Sequence, residues 1–187
     1  TKKKTEIINK DEQPFKANIE KIPQLKPAFR KNGTVTAANS SSISDGASTV
    51  VLMKESTADK KGIKPLARIV SHATNSHEPN WFTTAPIGAI SKVLDKSGWK
   101  KTDIDLLEVN EAFAVVPMAV MKELSISRDI LNINGGACAL GHPVGASGAR
   151  IISTLIYNLK NRNLKRGIAS LCIGGGEATA MSLELLD

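Results

Sequence analysis

Three short segments each place a reactive or hydrogen-bonding side chain where a predicted strand gives way to a loop or a helix. They are 110–113 (Asn-Glu-Ala-Phe), 141–143 (Gly-His-Pro) and 172–176 (Cys-Ile-Gly-Gly-Gly). An imidazole with a pKa near ~6.5 is the usual base at neutral pH, and a thiol can exchange a proton. A carboxamide can hold a water or a carbonyl oxygen, and exposed backbone N–H groups can approach a negative oxygen. The residue types therefore point to acid–base chemistry beside a polarised oxygen.

Each of these side chains also has a structural alternative. Asn110 follows an apolar run and could be the N-cap of a helix that starts at Glu111. His142 could be a surface residue of a turn, because six of the fourteen residues from 135 to 148 are Gly or Pro. Cys172 could be a small buried hydrophobe at the end of its strand. Taken one at a time, the segments leave both interpretations open.

The composition limits the classes of protein. The 187 residues carry 25 Lys and Arg and 18 Asp and Glu, a net charge of +7, and 41% are hydrophobic. This balance excludes global disorder and collagen. The longest apolar run, 112–121, is too short to span a bilayer, and residues 1–6 lead into no apolar segment, so we expect neither a membrane helix nor a secretory signal. Scattered basic residues and 4% aromatics argue against a nucleic-acid surface.

The two cysteines, Cys138 and Cys172, form neither a disulfide framework nor the clustered spacing of a zinc site. We therefore expect a reducing compartment and no metal. Cys138 lies between alanines and is interpreted as a packing residue.

The elements that must position these groups alternate along the chain. Residues 1–34 are interrupted by prolines and are predicted to be a loop-rich N-terminal arm, while 35–187 form the main domain. Predicted strands span 47–53, 66–73, 104–109, 130–134, 167–173 and 179–186, and predicted helices span 57–61, 86–96, 111–124 and 149–162. The pattern, βαβαβα followed by a ββ hairpin, predicts an α/β fold whose mixed sheet is covered by helices, with the chemistry at strand ends.

Together, the segments resemble the C-terminal half of the thiolases, the family of acetyl-CoA acetyltransferases and 3-ketoacyl-CoA thiolases. The similarity covers 110–113, 134–150 and 172–176 in the family's order and spacing, and it extends back through 26–29 and 33–39. It implies a thiolase-like fold and the transfer of an acyl group between a protein cysteine and coenzyme A.

The resemblance also implies a role for each segment. The nucleophilic cysteine of the family lies in the N-terminal half, which we expect to be absent, so the isolated chain should be inactive. His142 would take the proton of the nucleophile and later bind the thioester oxygen, and Asn110 would hold the water that completes this oxyanion site. Cys172 would move the proton on the α-carbon of acetyl-CoA. The backbone N–H of Gly174 would supply half of a second oxyanion site.

Further residues are implied by the same resemblance to contact the substrates. Those expected to contact the pantetheine and adenine portions of coenzyme A are Leu25, Phe29, Ala37 and Ser41. Phe82 and Phe113 would line the acyl end. Coenzyme A and acetyl-CoA are substrates, and no permanently bound cofactor is implied.

The partners that the resemblance implies are the N-terminal half of a thiolase and further copies of the chain, in a homodimer or homotetramer. Neither nucleic acid nor membrane is expected. The compartment would be the cytoplasm, or the mitochondrion in a eukaryote.

Two rival hypotheses remain at this point. The chain could be a noncatalytic module that binds coenzyme A or a protein partner, since it lacks a nucleophile block. It could also be related to the ketoacyl synthases, although their histidine pair is not matched: His72 and His77 lie in a polar stretch and are interpreted as surface residues.

Overall fold

A computed structural model describes residues 5, 7–15 and 17–186 of the chain. The predicted arm and the N-terminal stretch used to judge a secretory signal therefore lie partly outside the described residues. The strands are β1 (Ala67–Ser76), β2 (Leu106–Val109), β3 (Arg166–Cys172) and β4 (Glu177–Leu185). The α-helices are α1 (Glu55–Lys61), α2 (Ala85–Ser97), α3 (Val115–Leu124), α4 (Ala137–Leu140) and α5 (Ser147–Asn161). Short 3-10 helices span Gln13–Phe15, Ile19–Gln24, Ala37–Asn39, Pro79–Thr84, Lys101–Asp103 and Arg128–Ile130.

The four strands form one mixed sheet in the order β1-β4-β3-β2. β3 and β4 are the predicted antiparallel hairpin, β1 pairs antiparallel with β4, and β2 pairs parallel with β3. The predicted α/β fold with a mixed sheet is therefore confirmed. The parallel pair matters for function because its two strands end at the same edge of the sheet.

Helices cover both faces of the sheet. Consecutive strand residues point to opposite sides, and here both sides carry apolar side chains that pack against helices. Leu107 and Ile168 belong to a core shared with α2 and α3, whereas their neighbours Leu106 and Ala169 belong to a core shared with α5. α2 carries buried residues at helical spacing, and Gly98 ends it in a left-handed conformation, as predicted.

Two predicted strands are wrong. Residues 47–53 belong to no helix or strand and pair with no strand among the described residues, and Val51 and Leu52 are 80% and 70% exposed. An apolar run forms a strand only where a neighbouring strand has free backbone groups with which it can pair. In 130–134 only Leu131 bridges to Leu107. The side chain of Asn132 then takes over the pairing, since its amide bonds both the N–H and the C=O of Val109 at 2.7 and 2.8 Å.

The helix predicted from 111 begins instead at Val115. Residues 112–114 are tied to an earlier segment: the N–H of Ser41 donates to Ala112 O, and the N–H of Ala114 donates to Asn39 O. Asn110 therefore lies outside the helix, and its interpretation as an N-cap is wrong.

One carboxylic acid lies in the core beneath this region. Glu108 is the charged residue of β2, whose residues are all buried, and its carboxyl accepts a hydrogen bond from Asn158 Nδ2 at 3.1 Å. Burial raises the pKa of Glu108 from 4.5 to about 7, while the Asn158 hydrogen bond and the nearby Arg150 oppose that rise.

We expect Glu108→Gln to change the pH dependence of stability. Between pH 4.5 and about 7 the folded protein holds a proton on Glu108 that the unfolded chain has released, so stability falls as the pH rises through this window. Glutamine preserves an acceptor for Asn158 without this loss. Urea unfolding should therefore show the variant gaining on the wild type by about 3 kcal/mol between pH 4.5 and pH 8.

The matched control is Glu123→Gln, which removes an exposed carboxylate of α3. This variant should follow the wild type at both pH values. A difference between Glu108→Gln and the wild type that does not vary with pH would contradict the burial argument.

Candidate active site

The parallel pairing of β2 and β3 brings Asn110 and Cys172 to one edge of the sheet. Asn110 directly follows β2, and its N–H donates to the carbonyl of Ser170 at 2.9 Å. Ser170 belongs to β3, and Cys172 is the last residue of that strand and is 8% exposed. Two predicted site residues, 62 positions apart in sequence, thus terminate neighbouring strands.

His142 reaches the site on a sharp turn after α4. The preceding Gly141 has φ +90°, and a Cβ added there would lie 2.1 Å from Ser44 Oγ, so only glycine fits. The N–H of His142 donates to Ser42 O at 2.8 Å. The glycine and this backbone pairing fix where the imidazole leaves the chain.

The imidazole lies between two polar side chains. Its Nε2 is 3.4 Å from Asn110 Nδ2, and its Nδ1 is 2.6 Å from Ser147 Oγ. On the far side of the carboxamide, Arg150 Nη2 donates to Asn110 Oδ1 at 3.0 Å. The structure thus brings the predicted pair Asn110 and His142 together and adds two residues to which sequence reasoning gave no role, Ser147 and Arg150.

A sequence signal for Arg150 does exist. It lies in the first turn of α5, where the positive end of the helix dipole disfavours a cation. A basic residue at that position calls for a local partner, and the partner is Asn110. Ser147, by contrast, looks like an ordinary residue at a helix start.

The protonation states suit acid–base chemistry. Burial, and then the charge of Arg150, lower the pKa of His142, so the imidazole is neutral at pH 7 and able to accept a proton. Burial raises the pKa of the Cys172 thiol, so this group holds its proton. The edge of the sheet therefore carries a proton acceptor and a proton donor.

The turn after Cys172 leaves the backbone of Gly174 exposed. The N–H of Ile173 donates to Glu177 O, and that of Gly176 donates to Ile173 O. Gly176 has φ +100°, and a Cβ there would lie 2.3 Å from His77 O, so the turn packs closely against the residue that follows β1. At Gly174 an added Cβ would meet no atom within 4 Å.

Three phenylalanines predicted to contact the substrates pack together. The Phe113 ring lies edge-on to Phe29 and Phe82, with centroids 5.7 and 6.3 Å apart. The hydroxyl of Ser41 donates to Ala112 O, next to this cluster in sequence.

The other two predicted contacts lie earlier in the chain. Ala37 opens the 3-10 helix Ala37–Asn39, whose last carbonyl accepts from Ala114. Leu25 lies in the predicted arm, at the end of the helix Ile19–Gln24, and is 36% exposed. The structure therefore links Ala37 to the segment that carries Phe113, while Leu25 caps a helix of the arm.

Cys138 is held in a different environment from Cys172. Its N–H donates to the Glu111 carboxylate at 3.1 Å, and its thiol lies 3.8 Å from Glu111 O. Burial and the nearby carboxylate raise the pKa of this thiol to about 11. Cys138 is thus a protonated, weakly nucleophilic thiol.

Within the described ranges, no three His, Cys, Asp or Glu side chains are grouped so that they could hold one metal ion. In the same part of the chain, no helix has the length and apolar character needed to cross a bilayer.

Comparison with known families matches the chain to two thiolase domains. Residues 63–185 match the thiolase C-terminal domain, and residues 1–56 match the thiolase N-terminal domain. The expectation that the N-terminal half is absent is therefore wrong as stated, because part of that domain is present. The predicted division of the chain at residue 34 stays a prediction.

Relatives with known names cover almost all of the chain. A probable acetyl-CoA acetyltransferase of Dictyostelium discoideum is 53% identical over 183 residues, which are 98% of this chain and 44% of that protein. An acetyl-CoA acetyltransferase of Shinella zoogloeoides is 51% identical over 170 residues, 91% of this chain and 43% of that protein. The chain thus spans less than half the length of these relatives.

Solved structures show the same fold. The acetyl-CoA acetyltransferase of Bacillus anthracis superposes with a TM-score of 0.92 at 48% identity, over 100% of this chain and 48% of that one. The human mitochondrial 3-ketoacyl-CoA thiolase in complex with CoA gives 0.87 at 39% identity, over 96% and 46%. With its fold and most of its length matched in this way, the chain belongs to the thiolase family.

Proposed function

We propose that this chain is part of an enzyme that transfers an acyl group between coenzyme A and acetyl-CoA or a 3-ketoacyl-CoA, by Claisen condensation or thiolysis. The observation that carries the proposal is the meeting of Asn110 and His142, at 3.4 Å, on the sheet edge where β3 ends in Cys172. Similar thiolases, from Ascaris suum and from human mitochondria, have been solved with coenzyme A.

The acyl-accepting cysteine is supplied by polypeptide outside these 187 residues. Cys138 is protonated and hydrogen-bonded to Glu111, and Cys172 is buried with a raised pKa, so neither thiol is an activated nucleophile. The term complete enzyme is used below for the 187-residue chain together with the polypeptide that carries the nucleophile.

In the thiolysis direction, His142 Nε2 takes the proton of the nucleophilic thiol, and the thiolate attacks the 3-keto carbon. The bond between the α- and β-carbons then breaks, and its electron pair forms the enolate of acetyl-CoA. The protonated imidazole and a water held by Asn110 stabilise the enolate oxygen. The Cys172 thiol gives its proton to the α-carbon, which completes acetyl-CoA.

The second half-reaction returns the enzyme to its starting state. The Cys172 thiolate takes the proton of an incoming coenzyme A, whose sulfur attacks the acyl-enzyme and displaces the nucleophilic cysteine. The N–H of Gly174 and the N–H of the nucleophile hold the tetrahedral oxyanion. The proton on His142 returns to the released thiolate.

Binding of the coenzyme A substrate is assigned to residues other than His142 and Cys172, which transfer protons. The proposed contacts to pantetheine and adenine are Leu25, Phe29, Ala37 and Ser41. Phe82 and Phe113 line the acyl end, where the ring cluster provides an apolar wall. Three points remain predictions: a role in fatty acid metabolism, a location in the cytoplasm or mitochondrion, and assembly into a homodimer or homotetramer.

We expect His142→Ala to lower kcat of the complete enzyme in acetoacetyl-CoA thiolysis by about 10²–10³-fold, the scale of a lost oxyanion donor. The matched control is His72→Ala, which removes an exposed imidazole on β1. Unchanged kcat after His142→Ala would reject the assignment.

Substitution of each cysteine in turn separates the role of Cys172 from that of Cys138. Cys172→Ala should lower kcat by about 10²–10⁴-fold, because the α-carbon loses its proton donor. It should also abolish exchange of the acetyl-CoA methyl protons with D₂O, measured by NMR. Cys138→Ala should retain both activities, and equal losses in the two variants would contradict the proposed division of roles.

The 187-residue chain alone should not cleave acetoacetyl-CoA, because neither of its thiols is an activated nucleophile. The test is the absorbance of acetoacetyl-CoA with added coenzyme A and purified chain. Cleavage above the uncatalysed rate would show that the nucleophile lies within these residues. Tight binding of acetyl-CoA without turnover in the complete enzyme would instead support a noncatalytic module.

A further inference from the structure

Arg150 occupies a position that general electrostatics disfavours. It lies in the first turn of α5, which contains no acidic residue to offset its charge. Its Nε is buried and has no hydrogen-bond partner among the described residues. Among the described residues, the carboxyl groups of Glu108 and Glu111 act on this charge electrostatically. A cation kept at such a position needs a specific contact, and the contact is with Asn110.

The contact fixes which way the carboxamide faces. A guanidinium group has donors and no acceptor, so the atom of Asn110 that lies 3.0 Å from Arg150 Nη2 must be the carbonyl oxygen. The amide nitrogen is then turned toward His142 Nε2, at 3.4 Å. Without Arg150 the carboxamide could rotate and present its oxygen to the imidazole.

The direction of the hydrogen bonds continues through the imidazole. Because Asn110 Nδ2 is a donor, His142 Nε2 must accept, and the proton of the neutral ring lies on Nδ1. Nδ1 then donates to Ser147 Oγ at 2.6 Å, and the Ser147 hydroxyl donates to Pro143 O at 3.1 Å. From Arg150 Nη2 to the carbonyl of Pro143, each hydrogen bond of this series therefore has a consistent donor and acceptor.

We propose that Arg150 is a positioning residue that orients the carboxamide of Asn110 and, through it, holds His142 in the tautomer whose Nε2 is unprotonated and can accept a proton. This inference rests on the proposed function, in which Nε2 receives the proton of the nucleophile. The side-chain partner of Arg150 is Asn110, so its effect on the base is indirect. Its effect is to select one of two neutral forms of the base.

The tautomer can be measured without any assumption about activity. In the chain labelled with ¹⁵N-histidine, the two imidazole nitrogens of His142 have distinct shifts when protonated and unprotonated. We expect the wild type at pH 8 to carry its proton on Nδ1. Arg150→Met, which removes all donors, should give a mixture of tautomers. The control Arg162→Met, at the exposed end of the same helix, should match the wild type.

Kinetics of the complete enzyme provide the second readout. Arg150→Met should lower kcat for thiolysis at least tenfold with little change in the KM for coenzyme A. In an Asn110→Ala background the same substitution should cost less than twofold, because the group that it orients is gone. A merely structural residue would cost the same factor in both backgrounds. Arg150→Lys, which keeps a donor, should recover part of the lost kcat.

The outcomes separate the two proposals. A wild-type enzyme without acyl transfer would end the proposed function, while the NMR result would still decide the role of Arg150. The positioning role is overturned by a wild-type proton on Nε2, which needs no variant to fold, or by equal kinetic costs of Arg150→Met in the two backgrounds. It is supported by an Nδ1 proton together with unequal costs.

Discussion

The candidate site depends on the parallel pairing of β2 with β3. Because both strands run in the same direction, Asn110 and Cys172 end at one edge of the sheet, although they are distant in sequence. An antiparallel arrangement of these two strands would place the carboxamide and the thiol at opposite edges. The cores on both faces of the sheet hold this pair in register, so the chemistry rests on ordinary packing of helices against strands.

On that frame, polar side chains substitute for backbone structure at several points. Asn132 continues the pairing of β2 where regular strand geometry stops, and the carboxylate of Glu111 receives the N–H of Cys138. Both contacts fix the segment that leads into the turn carrying His142. The backbone that carries the imidazole is thus held by directional hydrogen bonds. A fixed backbone is needed if the lone pair of the base is to face a defined point.

Much of this organisation could be predicted from the sequence. Helical spacing and stop signals located α2 and α5 to within two residues at each end, and the hairpin of β3 and β4 followed from two apolar runs around three glycines. Segments 47–53 and 130–134 were predicted wrongly because local β propensity does not say whether a sheet edge is available. The start of α3 was also missed, since it is set by contacts with residues 39–41, which are remote in sequence.

The candidate site shows the same division between local and distant information. Asn110 could be singled out by its place after an apolar run, and His142 and Cys172 by residue type and neighbouring glycines, but the sequence did not show which of these side chains lie together. The contact of Arg150 with Asn110 joins residues 40 positions apart, and no local pattern encodes it. Its only trace in the sequence is a cation at the wrong end of a helix.

A crystal structure of the complete enzyme with acetyl-CoA bound would test most directly whether these three groups act on one carbonyl. The account predicts a thioester oxygen about 2.7–3.2 Å from His142 Nε2, with the Cys172 sulfur against the methyl carbon. A thioester bound elsewhere, or a methyl group turned away from Cys172 while the oxygen meets another donor, would contradict it.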